Sequence, residues 1–184
     1  MISIPDSGFA KKTMAKVGLF YGSTTGKTAD AAEQVQAALG GDSVVDLQDI
    51  ADAEASSLAE YDYLIIACPT WNIGDLQDDW EAVFEDLDDV DFSGKTVAYF
   101  GTGDQVGYAD NFMDAMGQLE EKISGLGGKT VGYWSADGYD HSESLAIRDG
   151  NKFCGLALDD DNESDKSAAR IEAWTTQIKQ AMSL

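Results

Sequence analysis

The sequence is short of several residue types that mark particular classes of protein. It has two cysteines, Cys68 and Cys154, which are too few for a disulfide framework in a 184-residue chain and form no CxxC pair. Its one histidine, His141, has too few partners to build a metal site, so we assign it to a loop. No apolar run is long enough to span a bilayer. These absences exclude a disulfide scaffold, a histidine-based metal centre and a membrane-spanning chain.

Basic residues are also scarce, because 12 lysines and arginines stand against 34 aspartates and glutamates, giving a net charge of -22. Such a chain is repelled by nucleic acids and by anionic membranes, so neither is expected as a partner. Two interpretations of the acidic excess remain open. It either attracts cationic protein surfaces, or it keeps the chain dispersed, for example in a high-salt habitat.

Strand-like and helix-like segments alternate along the chain. Short apolar runs predict five strands, which are "KVGLFYG", "DSVVDL", "YDYLIIA", "KTVAYFG" and "KTVGYW". Apolar periodicity predicts helices from about residue 27 to 39, from about 77, from about 110 to 123 and from about 163 onward. Five strands joined by crossover helices imply a parallel sheet that is covered by helices on both faces.

The alternating pattern is confined to part of the chain. Residues 1–13, "MISIPDSGFAKKT", precede a second plausible start at Met14, and we predict that they are an extension outside the fold, either a leader remnant or added sequence. Residues 14–184 are predicted to form a single domain, since their length suffices for one full core. The one irregular stretch, roughly residues 135–161, indicates an insertion before the last helix.

The loop after the first strand, "YGSTTGKT", is rich in hydroxyl groups, with Ser23, Thr24, Thr25 and Thr28 within six residues. Hydroxyls and free N–H groups at a helix N-terminus bind phosphate, and the helix dipole favours the anion. A nucleoside-triphosphate loop is excluded, because its GxxxxGK[ST] pattern needs glycine where Tyr21 stands. We predict a site for one terminal phosphate. The alternative is an ordinary helix start capped by one of these hydroxyls.

The loop after the third strand, "CPTWNIGDL", places Trp71 outside any helical stripe. Trp80 is different, since it shares a helical face with four other apolar residues and is predicted to be core: Leu76, Val83, Phe84 and Leu87. An indole in a loop either packs beneath that loop or stacks on a flat ligand. Taken alone, Trp71 is compatible with both.

The loop after the fourth strand, "GTGDQVGYADN", decides between these interpretations. Its three glycines let the backbone approach a ligand closely, and Tyr108 follows the last of them. Ligands of open α/β sheets bind outside the carboxyl ends of the strands, where all three loops meet. One aromatic residue from each of two loops and a phosphate site in the third predict a planar ring with a phosphorylated tail. Flavin mononucleotide (FMN) has this form.

From Ala15 to Leu184 the chain resembles a flavodoxin of the long-chain type found in photosynthetic microbes. "GSTTGKT" is similar to the family's T/S-x-T-G-x-T phosphate loop, and "PTWNIGDLQDDW" and "YFGTGDQVGYADNF" are similar to its two ring-binding loops. "DGYDHSESLAIRDGNKFCGLALDDDN" resembles the insertion that splits the last strand. Ser23 and Thr24 depart from the commonest family residues but leave the phosphate loop intact. The resemblance implies an α/β fold, a doubly wound five-stranded parallel sheet of order 2-1-3-4-5.

The resemblance also implies how the ring would be held. Trp71 and Tyr108 would flank the isoalloxazine, and the peptide between Asn72 and Ile73 would face its N5 atom. Gly74 would give that peptide room to reorient.

Further contacts follow from the same resemblance. The phosphate contacts are implied for Ser23, Thr24, Thr25, Gly26, Lys27 and Thr28. Backbone of Asp104 and Gln105 would meet the pyrimidine edge, and Asp161 would lie near the ribityl chain. The other implied cofactor contacts are Pro69, Thr70, Gly101, Thr102, Gly103 and Asn111.

A flavodoxin would be a low-potential one-electron carrier rather than an enzyme, holding FMN noncovalently and moving between semiquinone and hydroquinone. The resemblance implies basic redox partners, such as ferredoxin-NADP reductase and photosystem I, and replacement of ferredoxin when iron is scarce. It implies a monomer located in the cytoplasm, or in the plastid stroma if the source is an alga.

Three other classes of protein are alternatives to a flavodoxin electron carrier. A flavodoxin-like NAD(P)H:quinone reductase needs an open pocket above the ring, which Trp71 and Tyr108 would block. A receiver domain needs a phosphorylatable aspartate after the third strand, where Cys68, Pro69 and Thr70 stand instead, and is excluded. A storage protein for FMN is not distinguished from a carrier by the sequence.

Overall fold

A computed structural model describes residues 15–184. The predicted extension, residues 1–13, lies outside the described residues. Within residues 15–184 no helix combines the length and apolarity needed to cross a membrane.

Helices and strands alternate as predicted through the first two-thirds of the chain. The regular elements in chain order are β1 (Val17–Tyr21), α1 (Lys27–Leu39), β2 (Val45–Asp49), β3 (Tyr63–Pro69), α2 (Asp78–Val83), β4 (Thr96–Thr102), α3 (Asp114–Gly125), β5 (Lys129–Val131), β6 (Trp134–Ser135), β7 (Ile147–Arg148), β8 (Lys152–Phe153), β9 (Leu156–Leu158) and α4 (Asp160–Ala181). Three short 3-10 helices complete the connections: Ile50–Asp52, Ala55–Glu60 and Asp86–Asp89.

The main sheet is parallel and has the order β2-β1-β3-β4-β5, which confirms the predicted topology. Its last position is shared by two short strands. β5 pairs with residues 96–98 of β4, and β9 pairs with residues 100–102 of the same strand. The chain between them forms a small antiparallel sheet of β6, β8 and β7. The fifth strand is therefore split by an insertion, as the sequence predicts.

Each face of the sheet is covered by two helices. Side chains alternate between the faces along each buried strand, so both faces are apolar and both need to be covered. Leu19 and Ile65 point to the face covered by α1 and α4, and Phe20 and Ile66 point to the face covered by α2 and α3. The apolar residues that give the third and fourth predicted helices their periodicity are all buried in these two cores: Phe112, Met116, Leu119, Ile123, Ile171, Trp174, Ile178 and Met182. The predicted stripe around Trp80 is only partly buried, since Leu87 is buried while Leu76, Val83 and Phe84 are half-buried against the core. Trp80 is fully buried and donates its indole N–H to the Ala67 carbonyl at 2.8 Å, which confirms it as core.

The start of α3 differs from the prediction. The helix begins at Asp114 rather than near residue 110, because Met113 has a left-handed backbone with φ of 62°. The residues before it form turns, in which Tyr108 N–H donates to the Asp104 carbonyl and Asn111 N–H donates to the Tyr108 carbonyl. Apolar spacing that continues into a turn made the predicted helix too long.

The predicted end of the fifth strand and the predicted bounds of the insertion were also wrong. β5 stops at Val131, since Gly132 has φ of +82°, and Trp134 belongs to the antiparallel sheet. The chain returns to the main sheet at Leu156, and α4 starts at Asp160 rather than near residue 163. Residues 132–155 are therefore the insertion, which is shorter than the predicted 135–161. A kink at Glu163 (φ -138°, ψ 40°) interrupts the first turn of α4, so the regular helical pattern in the sequence begins after the true start of the helix.

Candidate functional site

Three loops at the carboxyl ends of β1, β3 and β4 surround one cleft, and the start of α4 closes a fourth side. The cleft has a volume of about 330 Å3, within the range of small-molecule sites. Its lining residues are Thr25, Lys27, Pro69, Thr70, Trp71, Asn72, Thr102, Gly103, Asp104, Tyr108, Asp160 and Asp161. All of these except Asp160 are among the residues predicted from the sequence to contact the cofactor.

The loop before α1 presents free N–H groups to one end of the cleft. Gly26 adopts a left-handed conformation with φ of 91°, and the Ser23 hydroxyl accepts hydrogen bonds from Gly26 N–H at 3.1 Å and Ala29 N–H at 3.4 Å. Within residues 15–184 the N–H groups of Thr25, Lys27 and Thr28 have no acceptor. The Ser23 hydroxyl thus accepts from two of the N–H groups near the start of α1, as the alternative of an ordinary capped helix predicts. The remaining N–H groups are available to bind an anion.

The loop after β3 is a tight hairpin closed by Trp71 and Asp75. Trp71 N–H donates to the Asp75 carbonyl at 3.0 Å, and Asp75 N–H donates to the Trp71 carbonyl at 2.8 Å. The turn requires left-handed backbone at Asn72 (φ 46°) and Gly74 (φ 99°). Asn72 and Ile73 therefore stand at an exposed tip, while the Trp71 side chain lines the cleft.

The loop after β4 is shaped by Asp104. Its carboxylate accepts hydrogen bonds from Val106 N–H at 3.0 Å and Gly107 N–H at 2.7 Å, and these bonds, with Gly107 the largest contributor, hold the pKa of Asp104 below its usual value. Tyr108 follows directly and is 51% exposed. Trp71 and Tyr108 come from different loops and line the same cleft, as the predicted ring sandwich requires.

Acidic residues at the start of α4 form the fourth side of the cleft. The Asp161 carboxylate lies 2.5 Å from Lys27 Nζ, and this hydrogen bond raises the pKa of Lys27. Both side chains are about half exposed, so the ion pair contributes little to stability. Asp160, which is not among the predicted contact residues, lines the cleft beside Asp161. Three consecutive aspartates after a buried strand were the available signal, but they were assigned to the insertion.

Several predicted contact residues do not line the cleft, and their assignment stays a prediction. They are Ser23, Thr24, Gly26, Thr28, Ile73, Gly74, Gly101, Gln105 and Asn111. Some of them support the loops from behind. Thr28 Oγ1 lies 2.8 Å from Thr102 Oγ1 in a buried contact between α1 and β4. Gly101 and Gly103 leave space for Met113, whose side chain lies within 3.0 Å of where either Cβ would be.

Gln105 connects the ring-binding loop to α4 and to the insertion. Its backbone N–H and its amide group donate to Asp159 Oδ2 at 3.1 and 2.8 Å, and the amide also donates to Glu163 at 2.9 Å. Its amide oxygen accepts from Asp140 N–H at 2.6 Å. The Gln105 backbone, which the resemblance places at the pyrimidine edge, thus donates its N–H to the buried carboxylate of Asp159, the N-cap of α4.

Glu163 gives this network a dependence on pH. Hydrogen bonds from Lys166, Gln105 and Arg170 outweigh burial and lower the pKa of Glu163 from 4.5 to about 2. The ionised form is therefore favoured in the folded protein, and its contribution is complete above pH about 4.5 and is lost as the pH falls towards 2. We expect Glu163→Gln to lower the free energy of unfolding by about 1 kcal/mol at pH 7.

Urea unfolding at several pH values checks this expectation. The difference between wild type and Glu163→Gln should shrink steadily below pH 4.5. Glu172→Gln is the matched control, because Glu172 is an exposed residue of the same helix with no ion pair among the described residues. A difference that stays constant down to pH 3 would contradict the lowered pKa.

Neither cysteine takes part in the cleft. Both thiols are buried, and burial raises the pKa of Cys68 and of Cys154 to about 12. Among residues 15–184 no group of three or more histidine, cysteine, aspartate or glutamate side chains is placed to hold a metal ion.

The residues of the cleft fit FMN. Free N–H groups and the Thr25 hydroxyl at the N-terminus of α1 suit a phosphate, and two aromatic side chains suit a planar ring. The indole N–H of Trp71 is buried without an acceptor among residues 15–184, which is costly unless a ligand supplies one.

Fold and cleft together define a doubly wound α/β protein that binds its ligand where the strand order reverses, between β1 and β3. The Flavodoxin family model matches residues 19–174. The chain belongs to the flavodoxin family.

Relatives in cyanobacteria are similar over nearly the whole chain. The flavodoxin of Picosynechococcus sp. is 62% identical over 171 residues, which cover 93% of this chain and 100% of the relative. A flavodoxin of Nostoc sp. is 62% identical over 169 residues, covering 92% and 98%. Among solved structures, the flavodoxin of Fusobacterium nucleatum bound to flavin mononucleotide superposes with a TM-score of 0.85 at 29% identity, covering 90% of this chain and 97% of that one. These findings confirm the predicted family and its fold.

Proposed function

We propose that this flavodoxin binds FMN noncovalently in the cleft and carries single electrons between protein partners. The main support is that Trp71 and Tyr108 line one cleft, and that this cleft ends at the free N–H groups at the start of α1. FMN, when bound, supplies a ring that takes up and releases electrons one at a time. Residues 14–184 act as one FMN-binding domain in this proposal.

The loop before α1 anchors the phosphate. Thr25, Lys27 and Thr28 offer N–H groups without acceptors among the described residues, and the positive end of the α1 dipole favours a dianion there. The Lys27 ammonium is tied to Asp161, so neutralisation of the phosphate falls mainly to the backbone donors. This arrangement binds one terminal phosphate and does not require a metal.

The tip of the Trp71 hairpin would supply a hydrogen-bond acceptor for the ring. The Asn72 carbonyl, in a turn that left-handed Asn72 and Gly74 make possible, would accept a hydrogen bond from a proton on flavin N5. Such a bond contributes about 1 kcal/mol, which corresponds to about 40 mV for one electron. The Asn72 carbonyl would thereby hold a proton at that ring atom, which would favour uptake of electrons one at a time.

The surroundings of the ring would lower its reduction potential. Aromatic walls on the ring and a chain of net charge -22 both disfavour an additional negative charge. Salt screens exposed charges beyond about 8–10 Å, so the walls of the cleft contribute more than the distant surface acids. We infer a low-potential carrier whose surface acids act mainly on docking.

The partners in this proposal are basic redox proteins. Ferredoxin-NADP reductase and photosystem I are the partners that the long-chain resemblance implies, with this flavodoxin replacing ferredoxin under iron limitation as a cytoplasmic monomer. Acidic side chains on and after α2 support cationic partners, because most of them are exposed: Asp78, Glu81, Glu85, Asp86, Asp88 and Asp89.

Potentiometric reduction of the FMN-loaded protein, followed by absorption spectroscopy, tests the function. We expect two resolved one-electron steps and slower reduction by ferredoxin-NADP reductase as ionic strength rises. A single two-electron step with rapid NADPH oxidation by the isolated protein would favour the NAD(P)H:quinone reductase alternative. A single step without NADPH oxidation would favour FMN storage.

A further inference from the structure

A second groove lies next to the cleft, since Ile73 in its lining directly follows Asn72 in the lining of the cleft. It has a volume of about 410 Å3 and is lined by Ile73, Gly74, Asp110, Asn111, Asp114, Gln118, Glu143, Ser144 and Leu145. We call it the insertion groove, because one wall is residues 143–145 of the insertion. The opposite wall is the tip of the Trp71 hairpin, and the floor is the first turns of α3.

Both walls of the insertion groove are fixed to the same helix. The Asp114 carboxylate accepts from Leu145 N–H at 2.7 Å through one oxygen and from the Asn111 amide at 3.0 Å through the other. Gln118 donates to the Gly74 carbonyl at 2.6 Å, which ties the hairpin to α3. The groove is therefore preformed, and filling it requires little reordering of the backbone.

An apolar side chain is exposed on each of the two walls of the groove. Ile73 on one lip is 77% exposed and Leu145 on the other is 59% exposed. The rim is acidic, since Asp110 and Glu143 are exposed and neither forms an ion pair within residues 15–184. Within the described residues 15–184, no cationic side chain lines the groove.

We propose that the insertion groove is a docking site for a cationic redox partner. The partner inserts an apolar side chain into the groove, and lysine or arginine residues lie next to that side chain on the partner. This inference rests on the proposed electron-carrier function and adds a docking element to it. The apolar lips match an apolar side chain, and the two unpaired rim carboxylates match its cationic neighbours. Ile73 follows Asn72, which lines the cofactor cleft, so a partner seated in the groove lies at the edge of that cleft.

A second copy of this chain is a poor occupant. Each copy has a net charge of -22 and would bring a second acidic rim against the first. Like charges placed face to face oppose association, whereas a cationic partner relieves the same repulsion. The groove is thus matched in charge to a basic protein and not to itself.

Stopped-flow reduction of the FMN-loaded protein by ferredoxin-NADP reductase tests the docking role. We expect Leu145→Ser to raise the Kd for the reductase about three- to tenfold, since it removes apolar surface at the lip. We expect Glu143→Lys to slow association by about the same factor at low ionic strength, with the difference disappearing in high salt. Asp149→Lys is the matched control, because Asp149 is an exposed acid of the same insertion that does not line the groove.

FMN affinity and reduction by dithionite separate the two proposals. Both should be unchanged in the three variants if the substitutions affect docking alone. Wild-type protein that fails to accept electrons from the reductase would overturn the proposed function. Wild-type protein that accepts them, with Leu145→Ser and Glu143→Lys no slower than Asp149→Lys, would overturn the groove alone. A wild-type dimer that Leu145→Ser dissociates, with reductase rates unchanged, would assign the groove to a second copy and also overturn the proposal.

Discussion

Trp71→Ala is expected to weaken FMN binding about ten- to hundredfold, the largest effect of any single side chain on the cofactor. Stacking of a planar base on an aromatic side chain contributes about 1–3 kcal/mol by alanine substitution, and every 1.4 kcal/mol is about tenfold in Kd. The hairpin should survive the change, because its closing bonds to Asp75 come from the Trp71 main chain. Titration of the apoprotein with FMN, followed by quenching of flavin fluorescence, measures the loss.

Trp71→Phe is the matched control for stacking. It keeps an aromatic ring on the same hairpin and removes the buried indole N–H and one of the two fused rings, so it should restore most of the affinity but not all of it. Tyr108→Ala should have a smaller effect than Trp71→Ala, because the phenol ring is half exposed. Equal affinity of wild type and Trp71→Ala would mean that the indole packs beneath its loop and does not contact the ring.

The doubly wound fold could be predicted because its strands are short apolar runs between clear helical stripes. Buried strands of parallel sheets have no polar face, so "YDYLIIA" and "KTVAYFG" stand out from their surroundings. The helical stripes of α3 and α4 were equally clear, since every apolar residue named in them is buried. Order in the sheet came from the resemblance, because periodicity does not determine which strands are neighbours.

The element ends that could not be predicted are decided by tertiary packing. Met113 adopts φ of 62°, where its side chain fills the space left by Gly101 and Gly103, and α3 cannot start before it. β9 is three residues long, and its pairing with β4 gives no local signal that separates it from the insertion. The misplaced insertion end then concealed Asp160 as a cleft residue.

The hydrogen bonds that hold the loops of the cleft together could not be predicted from the sequence either. Gln105 was predicted to contact the ring through its backbone, and its side chain joins its own loop to the insertion at Asp140 and to the start of α4 at Asp159 and Glu163. Residue type gives no indication of such a role, because a glutamine amide can serve any buried polar group. The three loops could be assigned from motifs, and the network that holds them could not.

Arg148 links the insertion to α3 through several hydrogen bonds. Its Nε donates to Glu120 Oε2 at 2.9 Å, and its two terminal nitrogens donate to Glu120 and to the carbonyls of Leu145, Ile147 and Gly117. Only 6% of the Glu120 side chain is exposed, and its other oxygen accepts from Thr130. Gly117 permits this contact, since a Cβ there would lie 2.4 Å from the Leu145 carbonyl oxygen.

Arg148→Ala should therefore lower the free energy of unfolding by about 3 kcal/mol, because it leaves the Glu120 carboxylate buried with one partner. Arg148→Lys should recover only part of the loss, since an ammonium group cannot reproduce the planar set of donors. In a Glu120→Gln background the cost of Arg148→Ala should fall by about 1–2 kcal/mol, because no charge remains to be stranded. Urea unfolding of wild type, Arg148→Ala, Glu120→Gln and the double variant measures this coupling. A cost that is the same in both backgrounds would show that Arg148 acts through the carbonyl groups of the insertion and not through the buried ion pair.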